Sequence, residues 1–400
     1  MIARLFNPPR PPGADAGVLQ VLPRLEADAL GRTALDLARH LRRSGWRAFV
    51  ASAGGPLRRE LAAAGATYLP LPLDEEGRLA RWRNRGRLAR LIRAHRIGLV
   101  HAHAPEPARI AAQAARRTGA AFVATCHALD ADGRCPEVIA AAGRVIAVSE
   151  FMGERLTQSR QVEPERLRVV RAWIDPEELD PARVRGHRVV GLAERCGLAG
   201  TSTVILVPGP LAPTQGHLLL LDALARLDRD DFLVLLAGAA RPDDRHVRAI
   251  QTQARKAGLA DRLRFAGAVA DLPALLALAD LVVLPAIRPE PSGYLAAAAQ
   301  AMGKPVIVTD QGALAEAVMP AATGWLVPAN SASELSRAID LALALDPAVR
   351  ERLASRARAF VLATFGMEAL CERTLDVYRE LLVPAGAALP ATRRPVLEAG

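Results

Sequence analysis

Leu281-Val282-Val283-Leu284-Pro285-Ala286-Ile287-Arg288-Pro289-Glu290-Pro291-Ser292-Gly293, continued by an alanine-rich segment to Met302 and by Val306-Ile307-Val308, decides the fold of this chain. The first four residues form an apolar, β-branched run bounded by proline, which reads as a buried strand rather than a helix. Pro289, Pro291 and Gly293 break the run. The alanines over 293–302 then favour a helix. Val306-Ile307-Val308 resumes strand character, so the unit is strand, helix, strand, and its two strands are parallel. Glu290 lies in the turn ahead of the helix. A glycine turn that opens a helix presents backbone N–H groups and the positive end of the helix dipole, which suits an anion.

The same alternation extends outward in both directions. Upstream, Val204-Ile205-Leu206-Val207, Phe232 to Leu236 and Leu263-Arg264-Phe265 read as strands, with helices near 214–227, 244–257 and 271–279. The first half repeats the pattern with strands at Val18 to Pro23, Ala48 to Ala51, Leu99 to Ala102, Ala121 to Ala124 and Arg144 to Val148. A helix is expected from Thr33 to Ser44, stopped by Gly45, and Ser149 suits the N-cap of another. Periodicity fades between Asp175 and Gly200, where a linker is expected. The fold class is therefore α/β, with two doubly wound parallel-sheet domains facing across a cleft and ligands expected at the carboxyl ends of strands.

Composition limits the function classes. Among 400 residues, 51% are apolar and 24% charged, enough for two full cores. No uncharged apolar run has the length of a membrane-spanning helix, and the start, rich in proline at Pro8, Pro9, Pro11 and Pro12, lacks the apolar core of an export signal. Cys126, Cys135, Cys196 and Cys371 show no zinc spacing, which predicts a reduced, cytoplasmic protein with no metal. His101 and His103, two apart on one strand, lack a third ligand. Residues 1–100 hold 18 Arg against 8 Asp or Glu, so the whole net charge of +10 resides in the first quarter. Within it, Arg78, Arg81, Arg83, Arg85, Arg87, Arg90, Arg93 and Arg96 surround Leu88, Leu91, Ile92 and His95 at helical spacing. Such a segment, 78–96, is either a solvated helix or a peripheral contact with anionic lipid. It lacks the interleaved aromatics of a nucleic-acid surface, and no nucleic-acid partner is expected.

Taken in order, Leu19-Gln20-Val21-Leu22-Pro23-Arg24-Leu25-Glu26, Val148-Ser149-Glu150-Phe151, the Glu290 turn and Thr323-Gly324-Trp325-Leu326-Val327-Pro328 resemble the retaining family 4 glycosyltransferases of the GT-B fold, over roughly residues 18–380. The resemblance implies two Rossmann-like domains. We expect a loose arm over 1–17, an acceptor-side domain over 18–183, a linker over 184–200 and a nucleotide-sugar-side domain over 201–365. A helix over 366–383, Met367 to Leu382 at its centre, is expected to return to the first domain, and a loose tail to follow over 384–400.

The resemblance also assigns sites. The family's donor motif pairs two acidic residues eight apart; here the first is Glu290, beside Pro291, Ser292, Gly293 and Tyr294, and the second position is Ala298. In the first turn of the second domain the family carries Gly-Arg and Lys-Gly; here the segment runs Gly209-Pro210 and Gln215-Gly216, so Pro210 and Gln215 stand where the phosphate-binding cations stand. His127 matches a histidine near the donor sugar, and is paired with Glu290 as a catalytic candidate. Glu26, Arg32 and Trp173 match acceptor or cleft positions, although the family's glycine-glycine turn reads Asp28-Ala29 here. His217 is a conceivable replacement cation or a surface residue.

The resemblance implies a retaining hexosyltransferase that takes a UDP-, GDP- or ADP-sugar, needs no cofactor, and glycosylates a glycan or lipid-linked acceptor in cell-surface polysaccharide or lipopolysaccharide synthesis. The residues at Gly31, Pro210, Gln215 and Ala298 favour a second function equally: a catalytically inactive homologue acting as a binding or partner protein, one that binds a partner or an acceptor and assists another glycosyltransferase.

Overall fold

The computed structural model describes residues 16–75, 77–129, 136–198, 203–239 and 245–382. The expected tail over 384–400 lies outside the described residues, as does the expected arm apart from Ala16 and Gly17. The chain divides into two compact units. The first comprises the chain up to Thr125, Pro136–Ile146 and the chain from Cys371 on; the second comprises Ala147–Leu370 and the segment beginning at Cys126.

The first sheet contains β1 (Gly17–Val21), β2 (Ala48–Ser52), β3 (Thr67–Pro70), β4 (Ile97–Ala102), β5 (Ala121–Cys126), β6 (Arg144–Ala147) and β7 (Leu167–Val169), in the order β3-β2-β1-β4-β5-β6-β7. β1 is central and pairs in parallel with both neighbours, Val18 standing against Ala48 on one side and Leu99 on the other. All five residues of β1 are buried, as a strand covered on both faces requires. The helix expected from Thr33 begins earlier, at Ala29, because Asp28 caps it. The helix Met367–Leu382 forms over the residues expected. Within the first unit its Glu372 meets His40 at 3.0 Å and its Glu380 accepts from Arg144 Nε at 2.8 Å.

The second sheet contains β8 (Thr203–Pro208), β9 (Phe232–Ala237), β10 (Leu263–Phe265), β11 (Leu281–Leu284), β12 (Val306–Thr309) and β13 (Trp325–Val327), in the order β10-β9-β8-β11-β12-β13. Alternate residues feed two cores. Val204, Leu206, Val282 and Leu284 pack into one cluster with the helix Tyr294–Ala301. Ile205, Val207, Leu281 and Val283 pack into the other, with the helix His217–Leu224. Strand-period alternation between two apolar layers explains why these strands read as continuous apolar runs. The stretch 184–200, expected as linker, holds a helix at Gly186–Arg195 whose Leu192 joins the core.

Both sheets therefore have Rossmann-like winding. In each, the order reverses beside the central strand, between β1 and β4 and between β8 and β11. A sheet of this kind leaves a crevice at that reversal, because successive crossovers leave in opposite directions.

Candidate functional site: the strand reversal of the second sheet

Glu290 and Gln215 stand on the two loops that leave β8 and β11, at the reversal point of the second sheet. Three glycines let these loops approach each other and the end of β9. Gly216, at φ 72°, has left-handed backbone, and a Cβ there would lie 1.8 Å from the Pro285 carbonyl oxygen. Gly209 has φ 127°, and its carbonyl oxygen would lie 1.8 Å from a Cβ on Gly238. Side chains at Gly216 or Gly238 would push the loops apart. The Ile287 N–H donates to Thr214 O at 2.9 Å and ties the loops together.

The Glu290 turn is braced from the other side. The Ala313 N–H donates to Glu290 O at 2.9 Å, and Gly312 crosses it with φ 64°, where a Cβ would lie 2.4 Å from that same oxygen. Gly293 abuts Ala313 O, 2.7 Å from where its Cβ would stand. Ser292 Oγ accepts from the Tyr294 N–H at 3.2 Å, so one of the N–H groups expected to face a ligand is engaged by the turn itself.

The neighbour of Glu290 is an amide. Gln215 Nε2 donates to Glu290 Oε1 at 2.7 Å. Burial raises the Glu290 pKa above the ordinary 4.5, and the bond from Gln215 opposes the rise only in part. A lysine at 215 would place a full positive charge against this carboxylate and draw the pKa down; the amide leaves burial dominant.

The other expected residues are distributed as follows. Ala298 is 0% exposed inside a helix and packs in the apolar core. His127 lies after β5, and desolvation lowers its pKa to about 4, so its ring is neutral at pH 7. Trp173 is buried. In the first unit, Glu26 accepts from Arg24 Nε at 2.7 Å and Arg32 Nη1 donates to Glu60 at 3.0 Å. The missing glycine turn is rebuilt as a helix cap: Asp28, at φ −105°, accepts from the Gly31 N–H at 2.8 Å, and a Cβ on Gly31 would strike Glu26 O at 1.9 Å.

His217 is corrected outright. It is 1% exposed, and its Nδ1 is 3.2 Å from His246 Nε2. Desolvation, then the His246 charge, lower its pKa to about 4, against a raising bond to the Ala212 backbone. A buried neutral imidazole replaces neither the expected cation nor a surface histidine. His101 bonds Tyr378 Oη at 2.6 Å and Thr125 Oγ1 at 2.7 Å, while His103 bonds Gln20 Oε1 at 2.9 Å. Among the described residues, no group of three or more His, Cys, Asp or Glu is placed to hold a metal.

Two contributors escaped the sequence reading. Gly238 shows only as a glycine following a strand, and its contact partner Gly209 is 29 residues away. Ser149 was legible as an N-cap, which it is, accepting from the Met152 N–H at 3.1 Å. Its second bond, to the Pro291 carbonyl at 2.7 Å, had no sequence signal.

Comparison with known proteins agrees with this fold. The family model "Glycosyltransferase Family 4" matches residues 30–178, and "Glycosyl transferases group 1" matches 193–360. The chain has the GT-B fold and resembles the families of these two models. It is 29% identical over 322 residues to a D-inositol 3-phosphate glycosyltransferase of Streptomyces bingchenggensis, covering 72% of this chain and 68% of that protein. A Mycobacterium protein of the same description is 30% identical over 281 residues, and the chain spans 61% of its length. Among solved structures, a glycosyltransferase of Rickettsia africae superposes with a TM-score of 0.79 at 22% identity, over 92% of this chain and 99% of that one. Anabaena Alr3699/HepE in complex with UDP and glucose gives 0.76 at 22% identity, over 91% and 99%.

Proposed function

We propose that this protein transfers a hexose, with retention, from a nucleotide sugar to a glycan or lipid-linked acceptor in cell-surface polysaccharide or lipopolysaccharide synthesis. The observation that carries it is the partly buried Glu290 carboxylate at the β8–β11 reversal, on a loop clamped by Gly216 and Gly312. A carboxylate there meets a sugar hydroxyl, and the amides of the surrounding turns meet the diphosphate. The relative solved with UDP and glucose supports this ligand class. His127, neutral at pH 7, serves the sugar as a hydrogen-bonding group.

Gln215 and Pro210 favour a second function. The Gln215 amide is already bonded to Glu290, and proline at 210 offers no donor. Two missing charge-assisted phosphate bonds at about 1.5–3 kcal/mol each would weaken a diphosphate donor by a factor on the order of 10² to 10⁴. A silent homologue that binds a partner glycosyltransferase tolerates that loss; an active one must make it good elsewhere.

Thermal midpoints recorded with millimolar UDP-, GDP- and ADP-sugars separate the two. A ligand at 100 times its Kd raises stability by about 2.7 kcal/mol, and a shift with one nucleotide supports the enzyme. No shift with any of them removes it. Pro210→Arg with Gln215→Lys should then tighten donor binding.

The first unit adds a membrane contact to the proposal. On the helix Arg78–Ala94, Trp82 and Leu79 are 63% and 61% exposed. Trp82, Gly86, Arg83, Arg87, Arg90 and Arg117 line one depression. Buried Asn84, Leu88, Ala89 and Ile92 form the inner face, with His95 at the C-cap rather than within it. Among the described residues, no helix is long and apolar enough to cross a membrane. An exposed tryptophan among arginines suits the interface of an anionic bilayer. Flotation with phosphatidylglycerol vesicles should capture the chain and release it at high salt; capture indifferent to lipid charge would remove this contact.

A further inference from the structure

The Glu290 turn is fastened to the start of the helix Glu150–Gln158 by two separate contacts, both within the second unit. Ser149, 2% exposed, uses its hydroxyl twice: Oγ accepts from the Met152 N–H at 3.1 Å and donates to Pro291 O at 2.7 Å. A serine that only capped the helix would need the first bond alone. The second ties it to the residue immediately after Glu290.

Glu316 makes the other contact. Its two carboxylate oxygens accept from the Phe151 N–H at 2.7 Å and the Glu150 N–H at 3.1 Å, which fill the free donors of that helix start with negative charge. Arg171 braces the arrangement, with Nε 3.3 Å from Glu316 and Nη2 3.1 Å from Glu150. Glu316 stands beside Ala317, whose Cβ would be 2.9 Å from a Cβ on Gly293. The segment Ala313–Ala317 thus abuts Gly293 through both Ala313 and Ala317 and holds the helix start through Glu316. The Glu290 turn is pinned on both flanks.

We propose that Ser149, supported by Glu316 and Arg171, is a positioning residue that fixes the Glu290–Gly293 turn in the geometry that receives the donor sugar. The proposal rests on taking that turn as the donor-binding turn. A hydroxyl at 149 is needed for its ability to donate, which Thr shares and Ala and Gly lack.

Hydrogen exchange on the ligand-free full chain tests it directly. Gly at 149 is a tolerated N-cap but has no hydroxyl, so Ser149→Gly separates the tether from the cap. We expect the amides of Ser292 to Leu295 to exchange roughly tenfold faster in Ser149→Gly and Ser149→Ala, and at the parental rate in Ser149→Thr. Donor binding in the thermal-shift assay should weaken by a similar factor in the first two and recover in the third. Unchanged exchange over 292–295 in Ser149→Gly overturns the proposal whether or not any donor binds. Faster exchange with no donor bound even by the parent chain upholds the tether and removes the donor-site assignment instead. Glu316→Gln, which keeps an acceptor but loses the charge facing Arg171, should show a smaller effect over the same amides.

Discussion

The two sheets wind in the same order, and they use the reversal point in opposite ways. In the first unit the strand ends at β1, β4 and β5 are filled by side chains. Gln20, His101, His103 and Thr125 are between 0 and 5% exposed, and Tyr378 from the C-terminal helix closes over His101. In the second unit the corresponding loops carry Gly209, Gly216 and Gly293, and beside them stands one partly buried carboxylate, Glu290. Even the buried histidine pairs differ: His101 and His103 bond uncharged partners from several strands, whereas His217 and His246 bond each other. Winding determines where a crevice forms; the residue types at the strand ends determine whether it is packed shut or left for a ligand.

The comparison breaks most severely if the second reversal point is filled. Gly216→Ala adds a Cβ where 1.8 Å separates it from Pro285 O, on backbone at φ 72°. Clash and left-handed strain together should cost about 3 kcal/mol or more in urea unfolding, and donor binding should vanish with it. An alanine variant with parental stability would show that the loops do not depend on close approach.

A second test uses the histidine pairs. The folded-state pKa of His217, about 4, lies below the unfolded value of 6.5. The unfolded chain therefore binds the proton first, and the stability present above pH 6.5 drains as pH falls toward 4, by on the order of 3 kcal/mol. His217→Gln keeps a donor and an acceptor but cannot titrate. Its unfolding midpoint should match the parent at pH 8 and fall less steeply below pH 6.5; parallel curves would mean that the pair is not the acid-sensitive element.

In the first unit the filling is the structure. Tyr378→Phe removes the hydroxyl 2.6 Å from His101 Nδ1 and leaves a buried polar atom without it. A loss of about 1–3 kcal/mol is expected, with donor affinity unchanged. Weakened donor binding at equal stability would contradict the separate roles assigned to the two reversal points.

Much of the architecture was legible because long apolar runs flanked by glycine and proline admit little besides buried parallel strands. The strands that periodicity did not reveal are β3, β7 and β13, each three or four residues long and at a sheet edge. Short edge strands bury only part of their surface and need no sustained apolar pattern. Thr67-Tyr68-Leu69-Pro70 even ends in a residue that cannot donate to a ladder. The Glu290 turn was visible through Pro289, Pro291 and Gly293. What surrounds it was not: Ser149 meets Pro291 across 142 residues, and the burial of His217 depends on His246, on a different helix. Contacts between distant segments leave no spacing to read.

The finest test concerns the charge of Glu290 itself. Burial raises its pKa above 4.5, so the folded state holds a proton that the unfolded chain has already released. The sign is opposite to that of His217: stability falls as pH climbs from 4.5 through the raised value, because ionising Glu290 costs more inside the protein than outside. Glu290→Gln retains the shape and a partner for Gln215 and cannot ionise. It should equal the parent near pH 4, become slightly the more stable above the raised value, and lose glycosyl transfer if the carboxylate engages the sugar. Gln215→Lys should act in the same direction and further, gaining on the parent as pH rises above 4.5, since a cation beside Glu290, where the amide now donates at 2.7 Å, favours the carboxylate and removes the penalty. Urea midpoints of the parent and both variants from pH 4 to 8 decide it. Three superimposable profiles would mean that Glu290 is well solvated, and that the second reversal point differs from the first in its glycines alone.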